Sequence, residues 1–430
     1  MNRNGRTLLL SLVVVLLMMG TFVAGGFAGW VLHGSPPPEG QSSATPSAPI
    51  PTPRTDLAQE LTPEELQEQF ESFWAVWSLL ENTFYDPSRV DNQEMVYGAI
   101  RGMVESVGDR YTFFSTPAQT DVSETHLRGE YEGIGAWIDQ QNGFPVILGP
   151  VHDDAPAARA GLRSGDIVIM VDGVEVEGMP LEEVIGMIKG PAGTEVTLTI
   201  LREGEAAPFD VTLTRAHIEV PSVEGETRED GLAYVRVSVF GDRTAYELDQ
   251  ILLELLQEDP GGLILDLRGN GGGYLTAAQE ILGRFLREGV ATYQAGRDGD
   301  RLPLMIIPGE AEVYELPMVV LVDGGSASAS EITAGALQDA GRAVLIGEET
   351  FGKGLIQNIT DLPDGSSVRI TTAQWLTREG RQIHDKGLTP DIVVPLTPED
   401  YEAERDPQLD AAVAYLLGNP LPETAATPNP

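Results

Sequence analysis

The sequence predicts a multi-domain α/β protein, and three observations carry that prediction. Between about residues 262 and 347, three apolar runs alternate with stretches of helical periodicity, and each run ends in a glycine- or serine-rich loop. Between about residues 126 and 217, the texture changes to short strands punctuated by glycine turns. Ahead of both, residues 8–32 carry no charge and are strongly apolar. The length of 430 residues suits roughly three modules at ~150 residues each. A hydrophobic content of 42% is enough for buried cores.

Charge and composition exclude several function classes. The balance of 27 basic and 66 acidic residues gives −39, with a pI near 4.3. Phosphate binding needs clustered Lys and Arg, so nucleic acid is not a partner. Cysteine is absent, which removes disulfides, thiolate nucleophiles, iron–sulfur clusters and cysteine-ligated zinc. The five histidines (His33, His126, His152, His217, His384) form no ligand spacing, so no metal and no cofactor are expected.

The first module, residues 1–33, is an export element. Arg3 and Arg6 precede a 25-residue run from Leu8 to Leu32. As a helix that run reaches about 37 Å, enough to cross a bilayer. The preceding charges place its start in the cytoplasm and the rest of the chain outside. A cleaved signal peptide is the competing reading, with Leu8 to Met19 as its apolar region and Ala24, Gly25 and Gly26 behind it. Under either reading the rest of the chain is exported and extracytoplasmic; under the first it is held at the cell membrane by a single pass. Residues 34–60 are rich in Pro, Ser and Thr and read as a semi-stiff tether.

Residues 61–125 read as a helical lead-in. Thr62-Pro63-Glu64-Glu65 is a helix start, and Leu66, Phe70, Phe73, Trp74, Trp77, Leu80 and Phe84 recur at helical spacing. A second helix is expected near Gln93 to Val107. Both read as packing or as a dimer arm rather than as chemistry.

Residues 126–217 read as a small β-module with two helices. Strands are expected at 134–138, 145–148, 165–173, 195–201 and 209–213, with helices at 155–162 and 181–188. Tyr131-Glu132-Gly133-Ile134-Gly135, Ala155-Pro156-Ala157 and Gly161-Leu162-Arg163-Ser164-Gly165-Asp166 together resemble a PDZ domain. Such a module captures peptides. The loop Gly133, Ile134 and Gly135 turns backbone N–H groups onto a terminal carboxylate, and the peptide adds as a strand beside residues 135–138. The helix 181–188 lines the other wall. The plain alternative is that the glycines only make a turn.

Residues 218–400 carry the chemistry. Runs at 262–267, 317–322 and 343–346 are strands, and helices are expected at 274–287 and 331–340. Strand–helix–strand repetition implies a largely parallel sheet whose ligands sit beyond the carboxyl strand ends. The loops Arg268-Gly269-Asn270-Gly271-Gly272-Gly273, Gly325 to Glu331, and Gly347 to Gly354 all fall there. The last fits the first seven positions of a P-loop, but Gly354 stands where the magnesium-binding hydroxyl is needed. What remains is a serine cluster at a helix start and the lone Lys353. A serine hydroxyl needs a base. Lys353 serves if burial among Leu345, Ile346, Phe351, Leu355 and Ile356 lowers its pKa. Amides at the helix start stabilise an oxyanion. Against this, Ser328-Ala329-Ser330-Glu331 is a capping-box pattern, and Ser328 then only caps a helix.

The order of modules, with Asp266-Leu267-Arg268-x-Asn270-x-Gly272-Gly273, Gly325-Ser326-Ala327-Ser328-Ala329-Ser330-Glu331-Ile332 and Gly347-Glu348-x-Thr350-x-Gly352-Lys353-Gly354-x-x-Gln357, resembles the carboxyl-terminal processing proteases, also called tail-specific proteases. The resemblance covers about residues 65–418. It implies a PDZ domain set before a ClpP/crotonase-like α/β core, and a closing helix within 401–418. It implies Ser328 as nucleophile, Lys353 as general base and Gln357 as the group that orients the lysine. The interval of 25 residues between Ser328 and Lys353 matches the family and favours Ser328 over Ser326 and Ser330. Ala329 and Gly272 are the implied oxyanion donors. Gly269 and Gly271 depart from the Asn and Pro that relatives often carry. The expected substrates are exported proteins with apolar free C-termini, and a homodimer is possible. The rival expectation is a non-catalytic, membrane-anchored PDZ scaffold or chaperone. Residues 419–430 read as a disordered tail.

Overall fold

The computed structural model describes residues 63–141, 143–422 and 425–426. The membrane segment and tether expected over residues 1–60 lie outside the described residues. No helix among the described residues is long and apolar enough to cross a membrane.

The core sheet forms where the apolar runs do not alternate. Its strands lie in the order Val223–Thr227, Ala233–Val237, Leu263–Asp266, Met318–Val322, Val344–Gly347, Ile392–Val393. The first pairing is antiparallel and the rest are parallel. Helices cover both faces, so these strands are buried on both sides and need no polar face. Val235, Leu265, Val320 and Leu345 point to one face, onto Leu248 and Leu252 of Thr244–Leu255, Ile281 of Leu275–Phe285 and Leu337 of Ala329–Asp339. Ile264, Val319, Leu321 and Ile346 point to the other, onto Ala411 and Ala412 of Pro407–Leu416. The closing helix is fastened by charge as well. Arg268 pairs with Asp266 at 2.7 Å and with Asp406, the cap of that helix, at 2.8 Å.

A second sheet was not legible in the sequence. Ser367–Leu376 is its spine, flanked by Phe113–Ser115, Val290–Gly296 and Leu355–Asp361. It sets the residues around position 111 beside Ser367–Leu376, on the edge opposite the strand that follows Lys353.

The module expected over residues 126–217 holds a sheet ordered Ala136–Gln141, Phe144–Pro150, Ile167–Val171, Glu195–Leu201, Phe209–Thr214. Its core is Ile134, Ile147, Val168, Leu198 and Ile200. The helix Leu181–Ile188 lies where its apolar spacing puts it, while the helix expected over 155–162 shrinks to Pro156–Arg159.

The lead-in helix Pro63–Thr83 is present, and of its two expected roles, packing or a dimer arm, packing is not seen among the described residues. Trp74 is 60% exposed and Leu79 59%, because nothing in the described chain covers that face. The tail is not wholly disordered. Ala426 exchanges backbone hydrogen bonds with Val393 at 2.7 and 2.9 Å, since the last core strand leaves an unpaired edge for extended backbone to occupy.

Candidate active site

The carboxyl ends of the core strands bring three loops together. Asp323, at the end of Met318–Val322, organises the middle one. Its Oδ1 accepts the N–H groups of Gly325 and Ser326 and, from the neighbouring loop, of Gly269 at 2.8 Å. Two serines of the cluster are committed to structure. Ser326 Oγ donates to the Leu267 carbonyl and Ser330 Oγ to the Asn270 carbonyl, both at 2.8 Å, and both residues are fully buried. Ser328 differs. It is only half-buried and stands at φ +56°, ψ −114°, at the start of the helix Ala329–Asp339. A left-handed backbone costs a side-chain-bearing residue about 1–3 kcal/mol, and such strain concentrates at functional sites.

Gly272 presses against this serine. A Cβ there would lie 2.8 Å from Ser328 Cβ and 2.9 Å from the Ala329 nitrogen, and its φ is +98°. Only glycine permits that approach. Ala329 opens the helix, so its N–H has no intrahelical acceptor. The Gly272 N–H, expected to be free, donates to Asn270 Oδ1 at 2.8 Å. Asn270 is fully buried and also donates to the Val237 carbonyl, which locks the loop.

Glu331 joins the serine loop to the lysine loop. Its Oε2 accepts the N–H of Ser328 and of Lys353, both at 2.9 Å. Its Oε1 accepts the Thr350 hydroxyl at 2.5 Å and the Gly352 N–H at 2.8 Å. Burial raises the Glu331 pKa, and these four donors pull it back. The capping-box spacing predicted the bond to Ser328. It did not predict the other three, which come from the third loop.

Lys353 is oriented by its backbone, whose carbonyl accepts from Trp375 Nε1 at 2.8 Å. Burial pushes its amine from 10.5 down to about 8. The Arg369 guanidinium acts in the same direction, while Glu331 and Asp109 oppose it. Leu345 and Ile346 belong to the core sheet, and Phe351 is 45% exposed, so the expected enclosure by Phe351 is absent. The amine stands 5.4 Å from the centre of the Tyr111 ring. Among the described residues it makes no hydrogen bond with Ser328 or Gln357. Gln357 instead reaches Thr371 Oγ1 at 3.5 Å.

The PDZ loop is formed as a close turn. Gly135 has φ +70°, and a Cβ there would lie 2.7 Å from Ala155 Cβ. Ile134 is buried in the module's core, and the Gly135 carbonyl accepts from Val151. The strand Ala136–Gln141 pairs only with Phe144–Pro150, so its other edge is open among the described residues.

A strained serine, a buried amine and an open strand edge fit a peptidase. Residues 231–394 match the model of peptidase family S41, and residues 148–202 match a PDZ model. The chain is 34% identical over 351 residues to the carboxy-terminal processing protease CtpA of Bacillus subtilis, covering 82% of this chain and 73% of that one. The chain belongs to this family. It is also 34% identical to the carboxy-terminal-processing protease of Bartonella bacilliformis (80% of each chain), and 36% identical to that of Synechocystis (80% and 81%). This S41 member is therefore a C-terminal processing serine protease with a PDZ domain. Sequence reasoning placed the serine and lysine motifs on loops but left Tyr111, Asp109 and Arg369 unread. Their proximity to Lys353 depends on the second sheet.

Proposed function

We propose that Ser328 is the nucleophile and Lys353 the general base of this protease, acting on exported proteins held by an apolar free C-terminus. The observation that carries the reading is the single buried carboxylate of Glu331, which fixes the backbone of both residues. The neutral Lys353 amine takes the Ser328 hydroxyl proton as Oγ bonds to the scissile carbonyl carbon. The resulting ammonium gives that proton to the leaving nitrogen as the C–N bond breaks. Water then repeats the sequence on the acyl-enzyme. The Ala329 N–H meets the oxyanion, and Gly272 serves as second donor by sharing its N–H with Asn270. To react, the amine swings from the Tyr111 ring onto Ser328, and Gln357 orients it there; catalytic contacts of this kind often tighten only with substrate bound.

The amides of Gly133, Ile134 and Gly135 receive the peptide carboxylate, and the open edge of Ala136–Gln141 takes the peptide as a strand. Residues 8–32 hold the enzyme at the membrane with its catalytic part outside, a topology supported by Arg3 and Arg6 ahead of the apolar run. The uncovered face of Pro63–Thr83 supports pairing of two copies.

A serine-reactive phosphonate probe tests the nucleophile. Wild type is labelled, while Ser328→Ala is neither labelled nor active and keeps its fold. Lys353→Arg is inactive because arginine does not deprotonate in use. Labelling and turnover retained in Ser328→Ala would remove the assignment. Peptides with amidated C-termini should bind the PDZ module more weakly than free acids, and equal binding would remove the carboxylate reading.

A further inference from the structure

The loop that carries Lys353 does not enclose its own amine; the ring beside it comes from the lead-in region, 242 residues earlier in the chain (353 minus 111). Pairing of Phe113–Ser115 with Ser367–Arg369 brings that region to the site. Asp109 shapes the approach as a tight turn. Its carboxylate accepts the Tyr111 N–H at 3.1 Å and the Thr112 hydroxyl at 2.7 Å, and Thr112 Oγ1 in turn accepts the Thr371 N–H at 3.0 Å. The far end of the ring is held too. Arg110 donates to the Tyr111 hydroxyl at 2.7 Å and pairs with Asp385 at 3.2 Å. The His384 ring stands edge-on at 6.1 Å. Tyr111 is thus anchored through its backbone turn, met at its hydroxyl by the exposed Arg110–Asp385 pair, and half-buried.

We propose that Tyr111 is a positioning residue of the active site: its ring walls the Lys353 amine off from water, which makes the lead-in region part of the catalytic machinery. The inference rests on the reading of Lys353 as general base. Three charged groups face the amine. These are Arg369 from Ser367–Leu376, Glu331 from Ala329–Asp339, and Asp109 from the turn of Tyr111 itself. The single cation and the two carboxylates act in opposite directions, and burial exceeds each of them. Arg110, Asp385 and Glu331 are the charges that act on the ring. The π face by itself favours a desolvated ammonium by about 2 kcal/mol, whereas exclusion of water favours the neutral amine. The amine titrates near 8 rather than 10.5, so exclusion of water is the larger effect.

The chain's lysines are Lys189, Lys353 and Lys386, so lysine selectively labelled with ¹³C at Cε gives a spectrum that single substitutions can assign. The experiment titrates that signal and the acid limb of kcat/KM in wild type, Tyr111→Phe, Tyr111→Leu and Tyr111→Ala. Wild type should titrate at about 8. Tyr111→Phe keeps the ring and should stay within a few tenths of a unit. Tyr111→Ala should rise by about one unit or more, with Tyr111→Leu between them, because water reaches the amine. The signals of Lys189 and Lys386, unchanged, certify the fold of each variant. A Lys353 midpoint that stays at its wild-type value in folded Tyr111→Ala or Tyr111→Leu overturns the proposal. A midpoint that moves while the acid limb does not upholds the ring's effect on the amine and removes Lys353 as the base.

Discussion

Replacing Lys353 by methionine should abolish activity and stabilise the protein at neutral pH. The amine's pKa is about 8 folded against 10.5 in water, a depression that comes first from burial. The unfolded chain therefore binds the proton more tightly than the native one. The resulting penalty is fully present below pH 8, declines between pH 8 and 10.5, and is absent above. The difference of 2.5 units (10.5 minus 8) corresponds to about 3 kcal/mol at ~1.4 kcal/mol per unit, and nearly all of it applies at pH 7. Methionine keeps the stem's length and apolar contacts and carries no charge. Urea unfolding of Lys353→Met and wild type at pH 7 should show a gain approaching that figure, shrinking as the pH rises toward 10.5. Equal stability at pH 7, or a gain that does not shrink with rising pH, would refute the argument that the amine is held in a desolvated site.

Two further substitutions probe the geometry. Glu331→Gln keeps the shape but offers one acceptor oxygen to four donors. At least one of them then loses its partner, at about 1–3 kcal/mol, and kcat should fall by roughly a hundredfold with the melting temperature lowered. Wild-type kcat would mean that the carboxylate positions nothing. Gly272→Ala drives a methyl group to 2.7 Å from the Ala327 carbonyl at φ +98°. It should cost at least about 1–3 kcal/mol of stability and leave the phosphonate probe without a reactive serine. Normal labelling would show that the approach of this loop to Ser328 is not required.

The sequence by itself determined the elements of the core sheet and of the PDZ module, and the loops at the core strand ends. Unbroken apolar runs such as Met318–Val322 read as parallel strands because burial on both faces leaves no polar side to display. Glycines ahead of helices marked strand-end loops, and the PDZ helix Leu181–Ile188 followed from its apolar spacing. Terminal boundaries moved by a few residues, as at Pro156–Arg159, where local periodicity cannot weigh competing tertiary contacts. What only the tertiary structure decided is how distant segments meet. Local pattern gave Glu331 one bond, to Ser328; folding added Thr350, Gly352 and Lys353. Among the three serines, Ser326 and Ser330 became structural only once the neighbouring loop supplied carbonyl acceptors. The lysine's depressed pKa likewise came from burial in the folded chain and from Arg369, which no sequence window around position 353 contains. Periodicity reports which face of an element is buried, and a desolvated charge depends on what buries it.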